Sequence, residues 1–159
     1  MQTNVPDIYA SGDVAEVYDF ILGDYRPLPL WPIAHIGGRV AGYNMAGKKT
    51  EYLEGTSMSS LKYFGLPIIS VGIVNPTEDG TYEILVDYDP SRNLYKKIVL
   101  KDNVIVGMIF VNAIEKAGII FHFMKNHINV KAFKKKLILK SFSLASIPLT
   151  LRKEMFVGI

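Results

Sequence analysis

Cysteine is absent from all 159 residues. Disulfides, thiolate metal sites and a cysteine redox centre are therefore excluded within this sequence. The absence fits a reducing compartment, so the expected location is cytoplasmic. No Gly-x-Gly-x-x-Gly loop occurs either, which leaves the sequence without a glycine-rich cradle for a dinucleotide pyrophosphate. Long apolar runs are also missing. The most apolar stretch, 104–124, is interrupted by Asn112, Glu115 and Lys116, whereas a membrane-spanning helix needs about 20 apolar residues in a row. Met1 to Pro6 lack the basic start of a secretory leader. Histidine is scarce: His35, His122 and His127 have no metal-ligand spacing beyond the gap between the last two, and no metal is expected. Asp87, Asp89 and Asp102 are expected at strand ends and turns, without calcium. The net charge of +3 is too small to argue for nucleic acid.

What is present describes a folded protein. Hydrophobic residues make up 49% and charged residues 21%, a globular balance. The length fits one domain, or one domain and part of another. Residues 5–10 read as a short buried strand, turned by Ser11-Gly12-Asp13. Residues 14–30 read as a loop broken by Gly23, Pro27 and Pro29. A helix is expected from Trp31 to Ala46, with Pro32 in its first turn and Gly47 as its stop. Gly37, Gly38, Ala41 and Gly42 would give it a close-approach face, since each glycine costs about 1 kcal/mol against alanine in a helix.

The character changes after residue 55. Strands are expected at 66–74, 82–88, 94–100 and 104–111, separated by the polar turns 77–80, 89–93 and 101–103. The last strand is apolar on both faces and should be central. Ala113 to Asn126 carries a helical apolar stripe. Lys131 to Lys140 reads as a second helix, with Phe133, Leu137 and Ile138 opposite its lysines; a solvated face is favoured there over contact with an acidic partner. The expected fold class is α+β: an antiparallel sheet meander with C-terminal helices.

Three segments carry a resemblance. Thr3-Asn4-Val5-Pro6-Asp7-Ile8-Tyr9-Ala10-Ser11-Gly12-Asp13 resembles the second flavin fingerprint of FAD-dependent pyridine-nucleotide oxidoreductases. Leu30-Trp31-Pro32-Ile33-Ala34, followed by Gly38, Ala41-Gly42, Asn44-Met45 and Gly47, resembles the helix that follows it. Ser59 to Gly72 resembles the entry to the C-terminal domain of the nitrite-reductase-like and NADH-oxidase-like members. The resemblance is motif-specific to residue 72 and becomes a matter of pattern from there to about residue 125.

This resemblance implies FAD as the cofactor, with Gly12, Asp13, Leu30 and Trp31 at its site. Asp13 would accept ribityl hydroxyl protons. Gly12 would let the backbone approach, and the amide of Trp31, at a helix N-terminus, would face the flavin pyrimidine. Gly37 departs from the pattern, because many relatives carry glutamine there. Phe64 could lie near the flavin face, though a core role is favoured. No catalytic residue is assigned. The division implied is 1–55, an incomplete C-terminal tail of an FAD-binding domain, and 56–159, an interface or dimerisation domain. Lacking both glycine-rich loops, the chain is expected to be a truncated product, a split subunit or an excised portion, without an NAD(P)H site, unable to retain FAD alone and inactive alone. The expected partners are a second copy or a missing FAD/NAD-domain subunit, with neither nucleic acid nor membrane. The alternative is a stand-alone, non-catalytic interaction module.

Overall fold

A computed structural model describes residues 1–155. The chain divides into two compact units, Met1–Met58 and Ser59–Ile159.

The first unit is built around helix α1, Trp31–Met45. Val40 and Ala41 are its buried apolar side chains, and Gly37 is buried beside them. Asn44 closes the helix. Its amide donates to the carbonyls of Val40 (2.8 Å) and Thr50 (2.7 Å), and its carbonyl accepts from Thr50 N–H (3.1 Å).

Two expectations about this unit are corrected. Residues 5–10 are not a strand: the segment makes a single bridge, Gln2 to Tyr9, and Asp7 adopts a left-handed backbone, φ 62°. Its pairing is confined to residues 1–3, through Thr3 N–H to the Ile8 carbonyl (2.8 Å) and Ala10 N–H to the Met1 carbonyl (3.0 Å), too short a ladder for a sheet strand. Residues 14–30 are not one loop. They contain an antiparallel hairpin, β1 (Glu16–Asp19) with β2 (Asp24–Pro27), in the register Val17 to Arg26 and Tyr18 to Tyr25. Buried Asp19 organises its turn by accepting from the amides of Ile21 (2.9 Å) and Leu22 (3.4 Å). Such side-chain bonding makes Asp a turn former.

The second unit holds a five-stranded sheet of order β3-β4-β7-β6-β5. The strands are β3 (Met58–Tyr63), β4 (Leu66–Gly72), β5 (Glu83–Asp89), β6 (Leu94–Lys101) and β7 (Val104–Val111). β7 is the middle strand, as its apolar run indicated; β5-β6-β7 follow the expected meander, but β4 does not join it at β5 as the turn 77–80 implied and pairs with β7 instead. Asp102 (φ 52°) and Asn103 (φ 63°) make the two-residue turn between β6 and β7. β3 was not anticipated. Its six residues are all exposed, so no apolar alternation marks it.

One face of the sheet is covered. The register aligns Val71 and Ile98 with Met108, and all three are 0–1% exposed. Helix α2 (Ala117–Lys125) covers β7, burying Ile120, Phe123 and Met124. Full burial stabilises each of these side chains by about 1.5–3 kcal/mol. The expected helix 113–126 is thus a 3-10 turn, Ile114–Lys116, running into α2.

The expected helix 131–140 is also corrected. The segment is a chain of single turns, with only Lys134–Lys136 in a 3-10 helix. Phe133 and Leu137 are buried, but Lys134 is drawn aside to Glu83 and Asn103, and these tertiary bonds override helical periodicity. A short helix α3, Leu149–Glu154, follows Pro148.

Candidate functional site

The turn at Ser11 to Asp13 and the first turn of α1 form one assembly. Gly12 adopts φ +81° and opens a short 3-10 turn, Gly12–Val14. A Cβ added at Gly12 would stand 3.8 Å from Ala34 Cβ. The Ser11 hydroxyl donates to the Ala34 carbonyl at 3.1 Å. Gly37, one helical turn further on, leaves the room for this contact: a Cβ there would lie 2.6 Å from Ser11 Oγ.

Each residue expected from the sequence has a definite place. Gly12 is half-buried against α1, and Asp13 projects to solvent. Leu30 is the residue before the helix, extended at φ −130°, ψ 133°, and its carbonyl accepts the Ala34 amide at 3.0 Å. Trp31 begins the helix, is 78% exposed and stacks on His35 with ring centroids 5.3 Å apart. No side chain caps the helix, and Pro32 lies in its first turn. The first amides of α1 are therefore available to an acceptor, and the helix dipole favours negative charge there. Asp13 and Trp31 are held on one scaffold, because the turn carrying the first is bonded to the helix begun by the second.

Sequence reasoning missed two contributors. Ser11 is a tether, and a serine followed by Gly-Asp was the available signal. His35 braces Trp31, and its place four residues along the helix was the signal. Phe64 is not a core residue: it is 89% exposed at the β3–β4 turn, with a left-handed backbone (φ 45°) and its ring on Tyr63. Among the described residues, no group of three His, Cys, Asp or Glu side chains could hold a metal. His122 faces Asn126, Nδ1 to Nδ2 3.3 Å. Asp89 caps its own turn by accepting from the Ser91 amide and hydroxyl and from Arg92, and these bonds hold its carboxyl below the usual range. No helix among the described residues is long and apolar enough to cross a membrane.

A cavity of about 850 Å³ opens elsewhere in the first unit, lined by Gln2, Glu16, Tyr18, Asn44, Thr50 and Tyr52 among others. None of Gly12, Asp13, Leu30 and Trp31 lines it. Burial raises the Tyr52 hydroxyl above its ordinary pKa, and that hydroxyl has no hydrogen-bond partner. The cavity carries the carboxylates of Glu16 and Glu51 beside Tyr18, Tyr25 and Tyr52, whereas the Gly12 turn joins a carboxylate to an uncapped helix. We place the candidate site at the latter.

The antiparallel sheet with its C-terminal helices is similar in fold to the C-terminal domains of pyridine nucleotide-disulphide oxidoreductases. Residues 58–128 match the family model of the rubredoxin NAD+ reductase C-terminal domain. The chain is 30% identical over 144 residues to a nitrite reductase [NAD(P)H] of Bacillus subtilis, covering 90% of this chain and 17% of that protein. It is 34% identical over 120 residues to an NADH-rubredoxin oxidoreductase of Clostridium acetobutylicum, covering 76% of this chain and 27% of that one. The crystal structure of the Clostridium acetobutylicum NADH:rubredoxin oxidoreductase superposes with TM-score 0.60 at 26% identity, over 81% of this chain and 32% of that one. An NAD-dependent persulfide reductase from A. fulgidus shares the fold, with TM-score 0.70 at 18% identity over 98% of this chain and 32% of that one. The chain therefore spans less than a third of the length of these relatives.

Proposed function

We propose that this chain supplies the flavin-facing helix and the C-terminal domain of an FAD-dependent NAD(P)H oxidoreductase. Gly12, Asp13 and the first turn of α1 would hold FAD, which would supply the hydride and electron chemistry of such enzymes. Asp13 holds the ribityl hydroxyls through charge-assisted hydrogen bonds. Gly12 keeps the backbone close, with no side chain in the way. The exposed first turn of α1, from Leu30 and Trp31, offers its amides to the pyrimidine edge and favours negative charge there. The observation that carries this reading is the Ser11–Ala34 bond, which fixes the Asp13 turn on the N-terminal turn of that helix.

The glycine-rich loops for the FAD pyrophosphate and for NAD(P)H are not in this sequence, so the reading assigns them to segments outside it. In this scheme the 159 residues retain no FAD and turn over no NAD(P)H by themselves. Residues 1–55 are the tail of the FAD-binding domain and 56–159 the interface domain. The exposed Val14 and Leu53 of the first unit are then contact points for the rest of that domain, or for a second copy in a dimer.

The test uses the polypeptide or assembly isolated from its source with this chain in it. Flavin absorbance is expected. Asp13→Ala should lower FAD affinity roughly 10- to 150-fold, the loss of one charge-assisted hydrogen bond of about 1.5–3 kcal/mol. An isolate with no flavin, or unchanged FAD affinity in the variant, refutes the assignment.

A further inference from the structure

We propose that Lys131, Lys135, Lys136 and Lys140 form a docking face for a partner protein whose own surface is rich in carboxylates. The proposal goes beyond the flavin assignment and does not depend on it.

Charge is unevenly spread along the chain. Residues 117–159 hold eight of the 18 Lys and Arg residues but one of the 15 Asp and Glu residues. That segment therefore carries +7, while the preceding 116 residues carry −4. No carboxylate lies between Glu115 and Glu154. Lys134 alone of the cluster has a counter-charge, Glu83 at 2.5 Å. Lys131, Lys135, Lys136 and Lys140 are exposed, and none makes an ion pair among the described residues.

These lysines do not ride on a loose tail. Phe133, Leu137 and Phe142 are 4%, 2% and 1% exposed and root the segment in the core of the second unit. Three cross-chain bonds pin it further. Lys96, itself buried, donates to the Ile138 carbonyl at 3.3 Å. Lys134 donates to Asn103 Oδ1 at 3.0 Å. The Val130 amide donates to the Asn103 carbonyl at 2.9 Å. Four cations within ten residues are thus held in a fixed array without neutralisation. A pre-ordered cationic surface steers and orients an anionic partner and loses no chain entropy in doing so.

The chemistry favours protein carboxylates over other polyanions. The segment 125–151 has no arginine, so it lacks the bidentate fork suited to phosphate and base edges. Its aromatic rings Phe133 and Phe142 are buried, which removes a stacking platform for nucleic acid. The segment is not an amphipathic helix, and between 131 and 142 Leu139 is the one large apolar side chain exposed. Insertion into a lipid surface needs a broad apolar face.

The test measures equilibrium binding of the full 159-residue chain to poly-L-glutamate, to vesicles containing phosphatidylserine and to a short DNA duplex. Binding to poly-L-glutamate should exceed the other two and weaken at least about tenfold from low to physiological salt. The fourfold variant K131E/K135E/K136E/K140E should lose about a hundredfold or more, and the milder fourfold Lys→Gln variant about tenfold. The Gln variant decides the matter if the Glu variant does not fold. A control with the same charge change at exposed sites elsewhere, K48E/K49E/K62E/K101E, should keep most of the binding. The proposal is overturned if the control loses as much as the cluster variant, if the cluster variants bind like wild type, or if vesicles or DNA bind more tightly than the polypeptide.

Discussion

Three glycines of α1 provide an internal comparison of packing against propensity. Replacing an exposed helical glycine by alanine stabilises a helix by about 1 kcal/mol. At Gly42 a new Cβ would meet nothing within 4 Å, and at Gly38 its nearest neighbour would be Ser11 Oγ at an ordinary 3.8 Å. Gly42→Ala and Gly38→Ala should therefore gain that amount. At Gly37 the same methyl would stand 2.6 Å from Ser11 Oγ and 3.1 Å from Met1 Cε. Met1 can swing away. Ser11 can only rotate by giving up its bond to the Ala34 carbonyl, which costs about 0.5–1.5 kcal/mol, and residual crowding adds about 1–3 kcal/mol. Set against the propensity gain, Gly37→Ala should be about 0.5–3.5 kcal/mol destabilising. It should fall below Gly42→Ala by at least about 1 kcal/mol in urea unfolding followed by helical circular dichroism. Ser11→Gly added to Gly37→Ala should recover part of the loss, a coupling that a double-mutant cycle reads directly. If Gly37→Ala unfolds at the same urea midpoint as Gly42→Ala, the tether between the Asp13 turn and α1 is not as described, and the site built on it fails with it.

Three further outcomes are expected. Gly107→Ala places a methyl on the Ile73 carbonyl, a backbone clash that no rotamer relieves; it should destabilise the sheet by at least about 3 kcal/mol, and thermal unfolding within a few degrees of wild type would refute this. Asp79 is held at a pKa of about 2, first by its bond with Thr81 and also by Thr77. Its folded value lies below the unfolded one, so its contribution is present above about pH 4 and is lost as pH falls towards about 2; amide exchange in the 77–81 turn should quicken over that range, and Asp79→Asn should remove the effect. Tyr52 is shifted the other way, raised by burial. Its contribution is therefore full below the ordinary tyrosine pKa of about 10 and is lost as pH rises further. Tyr52→Phe also removes a hydroxyl without a partner, so it should leave neutral stability unchanged or higher and flatten the alkaline decline in a denaturant series.

The sequence by itself determined those features whose cause is local. The helix 31–45 could be read because Pro32 and Gly47 punctuate it. The strands at 66–72, 83–89, 94–101 and 104–111 could be read because polar turns separate apolar runs, and the centrality of 104–111 because both its faces are apolar. The positions Gly12, Asp13, Leu30 and Trp31 came from motif resemblance, which fixes residue order without geometry.

Tertiary structure decided the rest. Residues 5–10 have strand composition, yet composition supplies no partner edge, and β pairing is non-local. β1 and β2 lay hidden because the side chain of Asp19, not a Gly-rich dipeptide, makes their turn. β3 lay hidden because a strand exposed on both faces has no period. The lysine-rich segment 131–140 has helical spacing, but Lys96 of β6 bonds to Ile138, and Asn103 of the β6–β7 turn bonds to Lys134 and Val130, and these contacts hold it in single turns. The sequence could name the residues of the candidate site; only the contact between Ser11 and Ala34, 23 positions apart, put its two halves in one place.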